Sequence, residues 1–180
     1  MKTQKIILWI FLLIIIDQAI KIIINTCFLE TTFNIIPAVL EFKPTFNTHH
    51  SWVNSLLYNK FQINIGLWPH IILFLIAEII MLTIYVLLRK TIHNNTKSLD
   101  ITFIFQFAGV ICAFIGNLIW DKGTLDYIYL KPLFVFDLKD VYINCFVVLL
   151  LVYMYKNRSQ VRTVKTRDIF PCVKSLLKRK

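Results

Sequence analysis

Glycine is scarce in this chain, with four among 180 residues, and none forms a glycine-rich phosphate cradle, which argues against nucleotide chemistry. Neither G-x-S-x-G nor H-E-x-x-H occurs, so the common serine-hydrolase and zinc-protease signatures are missing. Acidic residues are few, 10 against 20 Lys and Arg. The four cysteines, Cys27, Cys112, Cys145 and Cys172, show no C-x-x-C spacing. Two of them fall in apolar segments, where a thiol behaves as a small hydrophobe, so no metal or redox chemistry is assigned to them. What is abundant is apolar surface: 57% of residues are hydrophobic and the mean hydropathy is +0.66, values of a polytopic membrane protein. The net charge of +10 sits in loops and a tail rather than on a soluble basic face, so nucleic acid is not an expected partner.

A spanning helix needs about 20 mostly apolar residues, and residues 6–24, 65–88, 101–120 and 141–155 qualify, the last being short unless Leu138 extends it. The first is too long for a signal-peptide core and lacks a cleavage pattern, so a retained helix is expected. Basic residues cluster at Lys2 and Lys5, at Arg89, Lys90 and Lys97, and after Lys156. By the positive-inside rule both termini are then cytoplasmic, and residues 25–64 and 121–139 face outward. Within the first outer connection, Leu40, Phe42 and Phe46 alternate with Glu41, Lys43 and Thr45, a half-buried strand. Trp52, Leu56, Leu57 and Phe61 then recur at helical spacing, an interfacial amphipathic helix. The expected fold is an all-α membrane bundle of four transmembrane helices with a small extracytoplasmic β-rich platform and an interfacial helix. Residues 1–157 form this domain, expected to act as a monomer, and residues 158–180 a basic cytoplasmic tail near anionic headgroups.

Ionisable groups inside such helices are costly, roughly 2.5–3.5 kcal/mol for a central aspartate on insertion scales. Asp17, Lys21 and Glu78 are of this kind. Asp17 and Lys21, four apart, read either as an internal ion pair or as support for an outer site. Glu78 reads as a protonated packing residue or as a partner for Lys21. The stretch 116–143 carries Asp121, Asp126, Asp137 and Asp140 between two apolar segments. Asp121 is expected as a solvated charge beside Lys122. Asp137 and Asp140 suit an N-cap and third helical position. Asp126 and Asp140, fourteen residues apart, can meet where the chain returns from one helix end to the next helix start. Two carboxylates within reach share one proton, so one can activate water while the other protonates a leaving group. His49 and His50 lack an acidic or cysteine partner at ligand spacing and read as polar loop residues, so no metal is expected.

These residues resemble the bacterial lipoprotein signal peptidases (signal peptidase II). "LLIIIDQAIKIII" matches that family's D-x-x-x-K through Asp17 and Lys21; "FNTHHSW" places Asn47 at the asparagine of N-x-G-x-A-F. "GVICAFIGNLI" supplies the glycine-asparagine pair through Asn117, "LDYI" matches V-D-F-I, and "FDLKDVYI" matches F-N-x-A-D-x-x-I. The resemblance spans about residues 5–155. It implies an aspartic endopeptidase that needs no cofactor, acts among membrane lipids and cuts diacylglyceryl-modified precursor proteins on the amino side of the modified cysteine. It further implies Asp126 and Asp140 as the catalytic pair, with Asp17, Lys21, Asn47, Asn117 and Asp137 as supporting or substrate-binding positions. This chain departs from the pattern: His49, Ser51 and Trp52 replace glycine, alanine and phenylalanine, and Trp120 and Asp121 stand for an aspartate and an arginine. Asp137 stands for asparagine and Lys139 for alanine, an acid and a cation expected to shift the pair's pKa values in opposite senses. A paralogue that binds lipoproteins or lipids without cutting is the alternative, and a carrier using Glu78, Asp17 and Lys21 is disfavoured by the lack of repeats and broken helices.

Overall fold

The computed structural model describes residues 1–49, 52–92, 95–120 and 122–162. His50, Ser51, Asp121, the side chains of Trp52 and Leu56, and the tail from residue 163 lie outside the described residues. Four helices are long and apolar enough to cross a membrane: α1 (Thr3–Ile23), α3 (Leu67–Thr91), α4 (Thr96–Ile119) and α5 (Leu138–Lys156). A π-helical turn, Ile24–Phe28, prolongs α1. A helix, α2 (Trp52–Phe61), forms where helical spacing predicted one, and α6 (Arg158–Val161) follows α5 after Asn157. Pro69 is tolerated in α3 because it sits in the first turn, where its missing N–H has no intrahelical partner. Helix α5 does extend to Leu138, because Asp137 and Asp140 form a reciprocal capping box that satisfies its first amides.

Helix α4 is the central post: 61% of its apolar window is buried, against 17–22% for the other three. It packs against α1, α3 and α5. The outer faces of α1 and α3 leave Ile7, Leu8, Phe11, Ile72, Leu75 and Ile79 exposed, the surface a bilayer covers. Helix α5 lies close to α4 at Gly109, where a Cβ would meet Ile143 Cγ1 at 2.8 Å and the Lys139 carbonyl at 3.2 Å. At the end of the bundle carrying Met1 and α6, fully buried Asp100 accepts from Tyr85 Oη at 2.7 Å and pairs with Arg89 at 3.3 Å and with the Met1 amino group. One carboxylate thus ties together the ends of α1, α3 and α4.

The opposite end carries a four-stranded antiparallel sheet in the order β1 (Phe33–Ile36), β2 (Leu40–Asn47), β3 (Thr124–Leu130), β4 (Phe134–Phe136). Strand β2 is the one expected from the alternating pattern; the other three extend the platform. Its pairing with β3 shifts register between Phe42 and Thr45, where Pro44 has no amide to give the ladder. Period-two alternation sends Leu125 and Tyr127 into a core with Ile24, Phe42, Phe46 and Trp120, and leaves Thr124 and Asp126 on the other face. Asp126 therefore sits on a strand, opposite Thr45, rather than in the turn made by Gly123.

The Gly109 contact sets where the first turn of α5 lies, so Gly109→Leu forces the helices apart. The expected cost is about 1–3 kcal/mol, typical of overpacking, read as a lower unfolding temperature in detergent. An unshifted transition contradicts the close approach.

Candidate active site

Strand β3 and the start of α5 bring their acids together. One carboxylate oxygen from each of Asp126, Asp137 and Asp140 lies within 4.8 Å of the others. A cation already stands among them. Lys139 Nζ is 2.8 Å from Asp126 Oδ1, 2.8 Å from Asp137 Oδ1 and 3.4 Å from Asp140 Oδ2, so a metal ion bridging these acids has to displace an ammonium. Behind them, Lys21 Nζ pairs with Asp17 Oδ2 at 2.9 Å and with Asp137 Oδ2 at 2.7 Å. Asp17 and Lys21 form the internal ion pair, and Lys21 also reaches Asp137 at the start of α5. Asp17, Lys21 and Asp137 are fully buried, with Cys112 against Asp17.

The capping box fixes the last part of the cluster. Asp140 N donates to Asp137 Oδ1 at 3.3 Å, and Asp137 N donates to Asp140 Oδ2 at 3.1 Å. The local capping role and the convergence on Asp126 therefore coexist. Asn47, at the end of β2, donates from Nδ2 to Asp126 Oδ2 at 3.4 Å; its own Oδ1 accepts from His49 N at 3.1 Å. Gly123, with φ +90°, runs so close to the Asn47 carbonyl that a side chain cannot fit. Asn117 donates to the Ala113 carbonyl of its own helix at 2.9 Å and does not line the clefts at Asp126. Glu78 accepts from Gln106 on α4 at 3.1 Å, which gives it a partner other than Lys21. The His49 ring stacks on Tyr58 at 4.5 Å.

Two clefts meet at Asp126. One, of about 370 Å³, is lined by Phe74, Val110, Ala113 and Ile143 together with Asp126, Lys139 and Asp140. The other, of about 390 Å³, is more polar and lies under β2 and α2, with Asn47, Thr48, His49, Ser55 and Asn59. Asn144, one turn beyond Asp140, lines the apolar cleft as an exposed amide on a spanning helix. Sequence reading missed Asn144 and the bridging role of Lys139. The available signal was their position: a lysine and an asparagine on the apolar helix that carries Asp140.

Burial pushes the Asp126 carboxyl above the usual carboxylate range, opposed by Lys139 and reinforced by Asp137. Burial acts on Asp137 in the same direction, but Lys139 and Lys21 outweigh it and hold that carboxyl below its ordinary value. The two carboxyls are thus moved in opposite directions from their ordinary value, with Lys139 opposing the rise at Asp126 and driving the fall at Asp137.

Removing Lys21 leaves two fully buried carboxylates short of their cation. Lys21→Met is expected to cost about 3–5 kcal/mol, read by thermal unfolding in detergent. For Asp137, a lowered folded pKa contributes stability that is full above the unfolded value, about pH 4, and is lost as pH falls through the folded value. The stability gap between wild type and Asp137→Asn should therefore be constant from pH 7 down to about pH 4 and narrow below it; a gap unchanged in acid contradicts the assignment.

The family pattern described as signal peptidase (SPase) II matches residues 9–156, from within α1 to the end of α5. Among solved structures, a bacterial membrane enzyme determined by the in meso method at 1.9 Å resolution superposes with a TM-score of 0.65 at 22% identity, covering 87% of this chain and 96% of its own. A second, described as a bacterial membrane enzyme at 2.3 Å resolution, gives 0.60 at 22% identity, covering 88% and 92%. At that identity the likeness establishes the shared fold. No curated protein matches the chain significantly. With a family match over most of its length and all the acids of the cluster inside it, this four-helix membrane protein belongs to the signal peptidase II family of proteases.

Proposed function

We propose that this protein is an aspartic endopeptidase that removes signal peptides from diacylglyceryl-modified prolipoproteins, with Asp126 and Asp140 as its catalytic pair. The observation that carries the reading is the convergence of these two carboxylates, from β3 and α5, on a cleft between the helices. Two carboxylates so placed favour holding a single proton between them, which equips one to take a proton from water and the other to give one to the leaving amine. Asn47 steadies Asp126 directly, and Asp17, Lys21 and Asp137 steady Lys139 from behind. Asn117, whose amide donates to the Ala113 carbonyl, is a supporting position at the end of α4.

The two clefts suit the two halves of such a substrate. The apolar one, walled by Phe74, Val110 and Ile143, fits acyl chains. The polar one beneath β2 and α2 offers backbone and side-chain partners to an extended peptide. In this reading the platform lies on the extracytoplasmic side, both termini are cytoplasmic, the protein works as a monomer, and residues 158–180 form a basic tail along anionic headgroups.

The ammonium among the acids favours a second reading, a paralogue that binds lipoproteins or lipids without cutting, because Lys139 occupies space that a shared proton and water require. One assay separates them. Purified wild type in detergent is expected to cleave a diacylglyceryl-modified prolipoprotein, and Asp126→Asn and Asp140→Asn each to lower kcat by a factor of about 100 or more, the scale of lost acid-base catalysis. No cleavage by folded wild type across several precursors selects the binder instead.

A further inference from the structure

The two aspartates are not equivalent in their hydrogen bonding. Both oxygens of Asp126 accept from donors, Oδ1 from Lys139 at 2.8 Å and Oδ2 from Asn47 at 3.4 Å. The donors that reach Asp140 converge on a single oxygen, Oδ2: the Asp137 amide at 3.1 Å and, more distantly, Lys139 at 3.4 Å. Among the described residues no donor reaches Asp140 Oδ1, and the Asp140 side chain is 35% exposed. Donors on both oxygens favour a charged carboxylate, while an undonated oxygen facing a cleft can carry a proton and pass it on. The lysine responsible is itself held. Its ammonium is shared with Asp137 Oδ1, its backbone is fixed in the first turn of α5, and Asp137 is gripped by Lys21.

We infer that Lys139 is a positioning residue that makes the pair asymmetric, fixing Asp126 as the water-activating carboxylate and Asp140 as the acid, and that Asp137 is the counter-charge that keeps it there. Asp137 and Lys139 together add one negative and one positive charge, so the pair keeps the same total charge while its proton is given a preferred seat. This rests on the peptidase reading above. In the reaction, Asp126 takes a proton from water as the water oxygen bonds to the scissile carbonyl carbon. Asp140 Oδ1–H then protonates the departing nitrogen as the C–N bond breaks. The proton gained by Asp126 returns to Asp140, which restores both groups and leaves a new carboxyl and a new amine.

The test compares wild type with Lys139→Met, Asp137→Asn, the double variant and Lys139→Arg, all as the full chain in detergent. Carboxyl-carbon NMR with labelled aspartate, assigned by comparison with Asp126→Asn, follows the titration of Asp126. The charged groups that face it are Lys139, Asp137, Lys21 and Asp140. Without Lys139 the Asp126 midpoint is expected to move to higher pH, and without Asp137 to lower pH. The double variant should return toward wild type because the two effects have opposite sign, and Lys139→Arg, which keeps the cation, should stay near it. The acid limb of kcat/KM for prolipoprotein cleavage should move in the same directions. Lys139→Met should lose about tenfold for each pH unit by which that limb overtakes the assay pH. An unmoved Asp126 midpoint in Lys139→Met, or a double variant no closer to wild type than Lys139→Met, overturns the inference whatever the activity. Absence of cleavage by folded wild type overturns the peptidase reading, and with it the acid and base roles, even if the titration moves as expected. The two failures are therefore distinguishable.

Discussion

The site depends on a line of charges alternating in sign, buried from Asp17 through Lys21, Asp137 and Lys139 to Asp126 and ending at the half-buried Asp140. A single ion taken out of water costs several kcal/mol, and a lone ion pair often only breaks even. A chain in which each lysine touches two or three carboxylates spreads that cost, since Lys21, Asp137 and Lys139 are each compensated from more than one side. It also crosses from α1 to α5 and from α5 to β3, so three segments far apart in sequence are registered by one set of contacts. The two positions that depart from the family pattern at the start of α5, Asp137 and Lys139, are the links that join the α1 pair to the acids.

The remaining architecture holds the ends of that line in place. Helix α4 gives α1 and α5 a common surface, and the missing side chain at Gly109 lets the first turns of α5 approach it closely. The sheet then supplies Asp126 from a strand whose opposite face is locked into the core by Leu125 and Tyr127. At the far end, Asp100 gathers Arg89, Tyr85 and the Met1 amino group. The bundle thus carries a buried ionic clasp at each end, with a mostly apolar middle in which Glu78 is held by Gln106. That arrangement suits a bilayer, whose centre penalises charge most.

Much of this was legible in the sequence. Length of apolar run predicted the four spanning helices, alternation predicted β2, and helical spacing predicted α2, because each signal is local and periodic. Strand β3 was harder: in "TLDYIYL" the polar and apolar residues alternate only from Thr124 to Tyr127 before "IYL" interrupts the pattern, and both faces are buried near the site. The acids Asp126 and Asp140 could be paired by their order along the chain. The partners of charged groups could not, since pairing depends on helix rotation. Glu78 turns to Gln106 instead of Lys21, and Asp100 finds a partner 99 residues away. Lys139 was visible as a departure from a motif, but only its reach across the α5 capping turn makes it a contact of Asp126.

The position of the charge line also constrains how any substrate is read. Asp126 lies where a cleft walled by aliphatic and aromatic side chains meets one lined by amides and hydroxyls, so a ligand engaging both must be apolar on one side of the acids and hydrogen-bonding on the other. Neither cleft alone makes that selection. An acyl chain without a peptide leaves the donors and acceptors of β2 and α2 unpaired, and a peptide without an acyl chain leaves Phe74, Val110 and Ile143 without apolar cover. The acids sit where both requirements are satisfied together. On the peptidase reading, the bond presented to Asp126 and Asp140 is therefore the one adjoining the lipid attachment, and the alternating charges behind it keep the reacting groups at that boundary.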